Sequence, residues 1–255
     1  MARESKGKKY LFEYNLSFVN IISIVILLIM VVLTYVLELT LGLGFFDEYG
    51  LLLFDVSKTD SNMVFIGTMI LSCIIMILWF VLHEIIHGVA YWLCGVKKEN
   101  ITFGVVLEKG ILYCRCNEFV NKKTILISCI APFVVIGVIT YALGVIFNFG
   151  FLVLLSIFNI CGAAGDLAMF GFFLGRRNDV KFRELDDSTT FCLETKEDLV
   201  NNNFMAVKLK KVINNKELTE LKDDKTKFIN VSKFSWGFII VMLVLMIVSL
   251  VMMFI

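Results

Sequence analysis

The sequence of 255 residues is 58% hydrophobic and 18% charged, contains a single proline and has a mean hydropathy of +0.84. These values exclude an ordinary soluble domain, in which about a quarter of the residues are charged. The formal net charge of +1 gives no basis for a nucleic-acid partner, and we expect none. The seven cysteines are odd in number and lie mostly in or beside apolar segments, so we expect reduced thiols.

Five apolar segments are each near or above the ~20 residues that a membrane-spanning helix requires. In chain order they cover residues 17–40, 63–96, 124–148, 150–175 and 234–255. The first is too long for the apolar part of a signal peptide and lacks a small-residue cleavage site, so we expect it to be retained. The sequence therefore predicts a multi-pass membrane protein with about five transmembrane helices.

Two polar connections carry signals of their own. Residues 99–119 alternate apolar and polar side chains on both sides of an "EKG" turn, which predicts a β-hairpin between helices two and three. Residues 176–232 contain one strand-like run, "STTFCLET", and one helix-like run, "NNNFMAVKLKKVINNKEL". The predicted fold is an all-α membrane protein with this hairpin. Its parts are a transmembrane core over 1–175, a small cytoplasmic segment over 176–232 and a C-terminal transmembrane helix over 233–255.

The positive charge is unevenly distributed along the chain. Of the 24 lysines and arginines, 23 lie in the N-terminal segment, in residues 97–123 or in residues 176–233. Loops rich in lysine and arginine stay in the cytoplasm. We therefore predict a cell-membrane protein with five crossings, a cytoplasmic N-terminus and an extracytoplasmic C-terminus.

The second apolar segment contains "HEIIH", which fits the pattern H-E-x-x-H. His83 and His87, the only histidines in the sequence, are four residues apart and project from one face of a helix. Such a pair can bind one zinc ion, and Glu84 is placed to act as general base toward a zinc-activated water. Ionisable side chains at membrane depth cost at least ~2.5–3.5 kcal/mol each, so this group needs a partner, and a divalent metal supplies one.

Catalytic zinc usually has three protein ligands, and no third histidine exists. The remaining candidates are Asp166, Glu38 and Glu108. His87 and Asp166 each lie nine residues before the cytoplasmic end of their predicted helices, ~13 Å along the helix axis. Glu38 is predicted on the opposite side of the membrane, and Glu108 lies in the hairpin turn. Depth therefore favours Asp166 as the third ligand.

Three further features lie beside Asp166 in the sequence or at a similar predicted depth. Asn159 lies two turns before Asp166 and either donates to the oxyanion of a tetrahedral intermediate or bonds a helix carbonyl. The small residues of "CGAAG", 161–165, permit close approach of another helix. Pro132 is expected to kink helix three at a similar depth.

These motifs resemble known membrane proteases. The HExxH motif in one helix and the aspartate of a later one resemble site-2 proteases, the intramembrane zinc metalloproteases. "HEIIHG", the hairpin, "APF" and "GDL" are more closely similar to a bacterial family of membrane zincin peptidases, over roughly residues 63–200. The resemblance implies zinc bound by His83, His87 and Asp166, with Glu84 as base and Asn159 assisting. It also implies that the hairpin presents the substrate by edge pairing.

The sequence thus predicts a zinc-dependent intramembrane endopeptidase that cleaves a membrane protein or peptide near the cytoplasmic face. Its expected partners are the lipid bilayer and a membrane-embedded or membrane-associated peptide, while the sequence carries no signal for an oligomeric state. The alternative is a non-catalytic membrane metal-binding protein, either a transporter or a peptide-binding pseudo-peptidase. The absence of internal repeats and the presence of Glu84 favour the peptidase.

Overall fold

The computed structural model describes residues 7–45, 62–106, 111–185, 190–199 and 204–214. The α-helices are α1 (Leu16–Leu41), α2 (Asn62–Leu93), α3 (Lys122–Pro132), α4 (Ile139–Ile146), α5 (Gly150–Gly162) and α6 (Ala164–Leu174). The strands are β1 (Lys8–Tyr14), β2 (Ile101–Val106), β3 (Ile111–Cys116), β4 (Val120–Asn121), β5 (Lys181–Glu184), β6 (Thr190–Thr195) and β7 (Val207–Ile213). A π-helical segment, Phe133–Val138, joins α3 to α4.

Three helical segments in the described part of the chain are long and apolar enough to cross a membrane: Leu16–Leu41, Met63–Leu93 and Lys122–Ile146. The pair α5 and α6 would form a fourth span, bent by 47° at the break between them. These bounds agree with the first four predicted segments to within a few residues. The predicted fifth segment, 234–255, lies outside the described residues.

The prediction of an all-α fold is wrong, because the polar segments build a five-stranded antiparallel sheet. Its strand order is β4-β5-β6-β1-β7, with β1 hydrogen-bonded to β6 on one side and to β7 on the other. The basic N-terminal segment thus supplies an inner strand. Its partners follow roughly 180–200 residues later, and local periodicity carries no information about such distant pairing.

The two structural predictions for the 176–232 segment had different outcomes. The strand predicted in "STTFCLET" is confirmed as β6. The helix predicted from "NNNFMAVKLKKVINNKEL" is wrong, since Val207–Ile213 forms the edge strand β7. Lys208 and Lys210 on this strand are exposed, and charged side chains of this kind discourage further pairing at a sheet edge.

An aromatic layer joins the sheet to α6. The ring of Phe12 in β1 lies 5.5 Å from that of Phe172 in α6 and stacks on Phe191 of β6 at 5.6 Å. The ring of Phe173 meets Phe182 of β5 edge-on at 5.3 Å. Because all five rings are almost fully buried, the sheet is packed firmly against the helix that carries Asp166.

The predicted β-hairpin is confirmed as β2 and β3, with Ile101 opposite Cys116 and Val106 opposite Ile111. The hairpin packs on α2 one residue after the HExxH motif. A Cβ atom at Gly88 would lie only 2.4 Å from the ring of Phe103. The glycine that follows the motif therefore lets β2 approach the helix closely.

Two irregularities in the helices fall at residues that the sequence marks. The π-helical segment Phe133–Val138 begins directly after Pro132, within the span Lys122–Ile146, and π-helical turns often accompany functional sites. The kink expected at Pro132 stays a prediction. The bend of 47° falls at Ala163, within the predicted small-residue run, where α5 ends and α6 begins. All seven cysteines are free, as expected.

Candidate metal centre

Three side-chain atoms converge between α2 and α6. Nε2 of His83 lies 3.1 Å from Nε2 of His87, and both lie close to Oδ2 of Asp166, at 3.1 and 3.4 Å respectively. The two histidines are one helical turn apart on α2, as the motif spacing requires. Asp166 comes from the first turn of α6, just after the bend. The structure therefore brings together the three residues that the sequence predicts as metal ligands.

The other ring nitrogens of the two histidines have partners that set their protonation. Nδ1 of His83 lies 2.8 Å from Oδ1 of Asn159, and Nδ1 of His87 lies 2.9 Å from the carbonyl oxygen of Ser128 in α3. Both partners are acceptors, so each Nδ1 carries the hydrogen and donates it. Each neutral imidazole then presents the lone pair of Nε2 to the centre, the arrangement that metal-binding histidines usually have.

This donor set fits a zinc ion. Three lone-pair acceptors within 3.4 Å of one another repel unless a proton or a metal cation lies among them. Tetrahedral zinc with bonds of ~2.0–2.1 Å has ligand atoms ~3.3–3.4 Å apart, close to the observed separations. Two imidazoles and one carboxylate also form a recognised catalytic zinc set, in which a fourth position stays open.

Glu84 lies beside this centre. It offers a carboxylate oxygen within 4.8 Å of a ring nitrogen of both His83 and His87, and the three together could hold a metal ion. The Glu84 carboxylate interacts with the backbone N–H of Cys114 in β3. The side chain is partly exposed and lines a cavity next to the centre. This position suits a base that acts on a water molecule in the cavity.

Asn159 lies behind His83 rather than in the cavity. It is fully buried, and besides accepting from His83 it donates through Nδ2 to the carbonyl oxygen of Pro132, at 3.2 Å. Because Asn159 is fully buried and does not line the cavity, its remaining N–H does not reach a reacting carbonyl there. Of the two roles that the sequence left open, the structure has the helix-carbonyl bond, and the oxyanion role lacks support. Asn159 is a positioning residue for His83.

Of the other candidate ligands, Glu38 is not part of this group. Glu38 lies near the C-terminal end of α1 and does not line the cavity, whereas Glu108 lies outside the described residues.

The cavity beside the centre has a volume of about 220 Å³. Its walls come from α2, α3, α6 and β3, and also from β1 and β5, which contribute Tyr14 and Glu184. Sequence reasoning missed both of these residues. Each lies in a short polar segment that carries no motif, and only the sheet brings them to the site.

Glu184 has an unusual environment for a carboxyl group. Burial raises its pKa to about 7, an effect that the nearby Glu84 and Asp166 increase and that His87 and Arg115 partly offset. Burial also raises the pKa of the Cys114 thiol, which therefore stays protonated at neutral pH.

Residues 64–180 match the model of a protein family described as "Putative zincin peptidase". The matched segment contains His83, Glu84, His87 and Asp166, so the match supports the prediction of a zinc peptidase. No curated protein and no solved structure matches the chain. The resemblance to site-2 proteases stays a prediction.

Proposed function

We propose that this protein is a zinc-dependent intramembrane endopeptidase. The observation that carries the proposal is the convergence of three acceptor atoms from His83, His87 and Asp166, with the Glu84 carboxylate beside them. The match of residues 64–180 to a zincin family model agrees with it. A transport or storage site would require ligands but no adjacent base, so Glu84 favours hydrolysis over the non-catalytic alternative.

The chemistry divides between the metal and the chain. Zinc at this centre would lower the pKa of a bound water to about 7 and polarise the carbonyl of the substrate. Glu84 accepts the proton of the attacking water and returns it to the departing amine, which conserves protons over the reaction. Asn159 and the Ser128 carbonyl hold the two imidazoles in the ligand orientation throughout.

The arrangement of the sheet supports the proposed membrane orientation. Strand β1 leads directly into α1, β4 leads directly into α3, and β5 follows shortly after α6. These three helix ends must therefore lie on one side of the membrane, together with the basic segments that contain the strands. Positive charge favours the cytoplasmic side. The cleavage site would then lie near the cytoplasmic face, with the N-terminus in the cytoplasm.

The hairpin supports a peptide as substrate. Strand β3 lines the cavity from Leu112 to Arg115, beside Glu84. A membrane-embedded helix must unwind before one of its peptide bonds is cleaved, and its backbone groups then need new partners. We propose that an extended substrate segment pairs with the hairpin edge, as in other cases of strand addition.

The test compares purified wild-type protein with two variants. Glu84→Gln keeps about one zinc per chain but loses peptide cleavage, because the ligands remain and the base is gone. His83→Ala loses both zinc and peptide cleavage. Glu13→Gln, at an exposed position on β1, serves as the control and leaves zinc content and peptide cleavage unchanged.

Cleavage products are identified by proteomics of membrane peptides from cells with wild-type or Glu84→Gln protein. Wild-type protein that binds no zinc after reconstitution would rule out the proposal. Unchanged membrane peptides in the Glu84→Gln cells would favour the non-catalytic alternative.

A further inference from the structure

Glu184 occupies a position where a folded sheet normally has an apolar side chain. Side chains two residues apart on a strand share a face of the sheet. Phe182, two residues before Glu184 on β5, is 1% exposed and packs against Phe173 of α6. Glu184 therefore points to the helix-facing side of the sheet, where it meets the cavity. A carboxylate at such a position does not help the sheet to pack.

The carboxylate of Glu184 also lacks a direct partner among the residues that the structure describes. Within the described residues it makes no side-chain hydrogen bond and no ion pair, and it lines the cavity instead. Arg115, the cationic side chain on the same wall, donates to Asn117 and to the carbonyl oxygen of Leu185. A mostly buried carboxylate without a partner is unfavourable. Folding therefore gives no reason for glutamate at this position.

The size of the cavity connects Glu184 to the proposed reaction. Small-molecule sites usually have volumes of roughly 300–1,000 Å³, and this cavity has about 220 Å³. Glu84 and Glu184 are both on its walls. The two carboxylates also interact electrostatically, so a substrate group that enters the cavity beside Glu84 lies within the electrostatic reach of Glu184.

We propose that Glu184 forms a subsite for a cationic group of the substrate, a lysine side chain or a free N-terminal amine, next to the bond that is cleaved. This inference rests on the proposed peptidase function and names its substrate class. Carboxylates on the cavity wall come from Glu84, Asp166 and Glu184. Asp166 is directed at the metal centre and Glu84 at the attacking water, which leaves Glu184 to bind the substrate. A cation there gains an ion pair, whereas an acidic side chain is repelled.

The test measures binding rather than turnover, so it does not depend on catalysis. Zinc-loaded Glu84→Gln protein in detergent is titrated in a calorimeter with leucine tetrapeptides that carry one lysine, norleucine or glutamate. Each peptide is used with a free and with an acetylated N-terminus, which separates a side-chain cation from a terminal amine. We expect the cationic peptides to bind with at least about tenfold higher affinity than the norleucine peptide. The glutamate peptide should bind with the lowest affinity.

In the Glu84→Gln, Glu184→Gln double variant, the same titrations should show no preference for a cationic peptide. The affinity for the norleucine peptide should not fall. Glu84→Gln with Glu13→Gln is the matched control and should keep the preference. A preference that persists without Glu184, or no preference when Glu184 is present, would overturn the inference. Wild-type protein that cleaves no peptide would instead contradict the proposed function, so the two failures are distinguishable.

Discussion

The side-chain oxygen of Asn159 lies 2.8 Å from Nδ1 of His83, so a residue of α5 orients the first histidine of the motif. The same amide donates to the carbonyl of Pro132, immediately before the π-helical segment. Asn159 therefore connects the metal centre to the irregular part of the third apolar segment. Supporting residues of this kind commonly affect metal affinity as strongly as some ligands do.

Replacing Asn159 by alanine should lower zinc affinity about 10–100-fold, because Nδ1 of His83 loses its acceptor and the ring is no longer held. Competition with a chromophoric chelator measures this affinity. Asn159→Asp retains an acceptor oxygen and should lose less. An equal loss in both variants would contradict the positioning role, since only alanine removes the acceptor.

Asp166 and Glu38 provide a direct comparison of two acids in apolar helices. Asp166→Ala should reduce bound zinc to well below one per chain, because the site loses its carboxylate ligand. Glu38→Ala should leave zinc content unchanged, since Glu38 does not line the cavity. Elemental analysis of the purified proteins measures both. Zinc retained without Asp166 would require another third ligand.

Glu184 should make the stability of the zinc-free protein depend on pH. Its pKa is about 7 in the fold and about 4.5 in the unfolded chain, so between these values the unfolded chain binds fewer protons. The contribution of this position to the free energy of unfolding therefore falls as the pH rises from about 4.5 to 7. Glu184→Gln removes the titration and should be more stable than wild type by on the order of 2–3 kcal/mol at pH 8.

Thermal unfolding between pH 4 and pH 8 measures this difference, with Glu13→Gln as the control. The stabilisation should be small at pH 4 and should level off above pH 7. A Glu184→Gln protein that is less stable at pH 8 would show that the carboxylate supports the fold.

Phe12 should be a major contributor to the stability of the sheet and of α6. It is 1% exposed and contacts the rings of Phe172 and Phe191, so Phe12→Ala leaves a large cavity. We expect a loss of about 3–5 kcal/mol in the free energy of unfolding, measured by denaturant titration. Met205, with 72% of its surface exposed, is the control, and its replacement by alanine should change stability by less than about 0.5 kcal/mol.

The sequence by itself determined the apolar helices and the central part of the candidate metal site. Runs of about 20 apolar residues define spans because the bilayer requires a minimum length, and the four segments inside the described residues were located closely. The spacing of His83 and His87 places both rings on one helix face because the α-helix has a fixed period. Equal depth in two helices predicted that Asp166 lies close to the histidines, and it lies 3.1 Å from His83 in the structure; its role as a metal ligand stays a prediction.

Only the tertiary structure decided the sheet and the residues that it brings to the site. Strand β1 pairs with strands roughly 180–200 residues away, and a period-two pattern in one segment does not specify its partner. Glu184 reaches the cavity because β5 packs on α6, and nothing in the sequence "KFRE" indicates this. The role of Asn159 likewise depends on which acceptor and donor lie within 3.2 Å of its amide, which is a property of packing between helices.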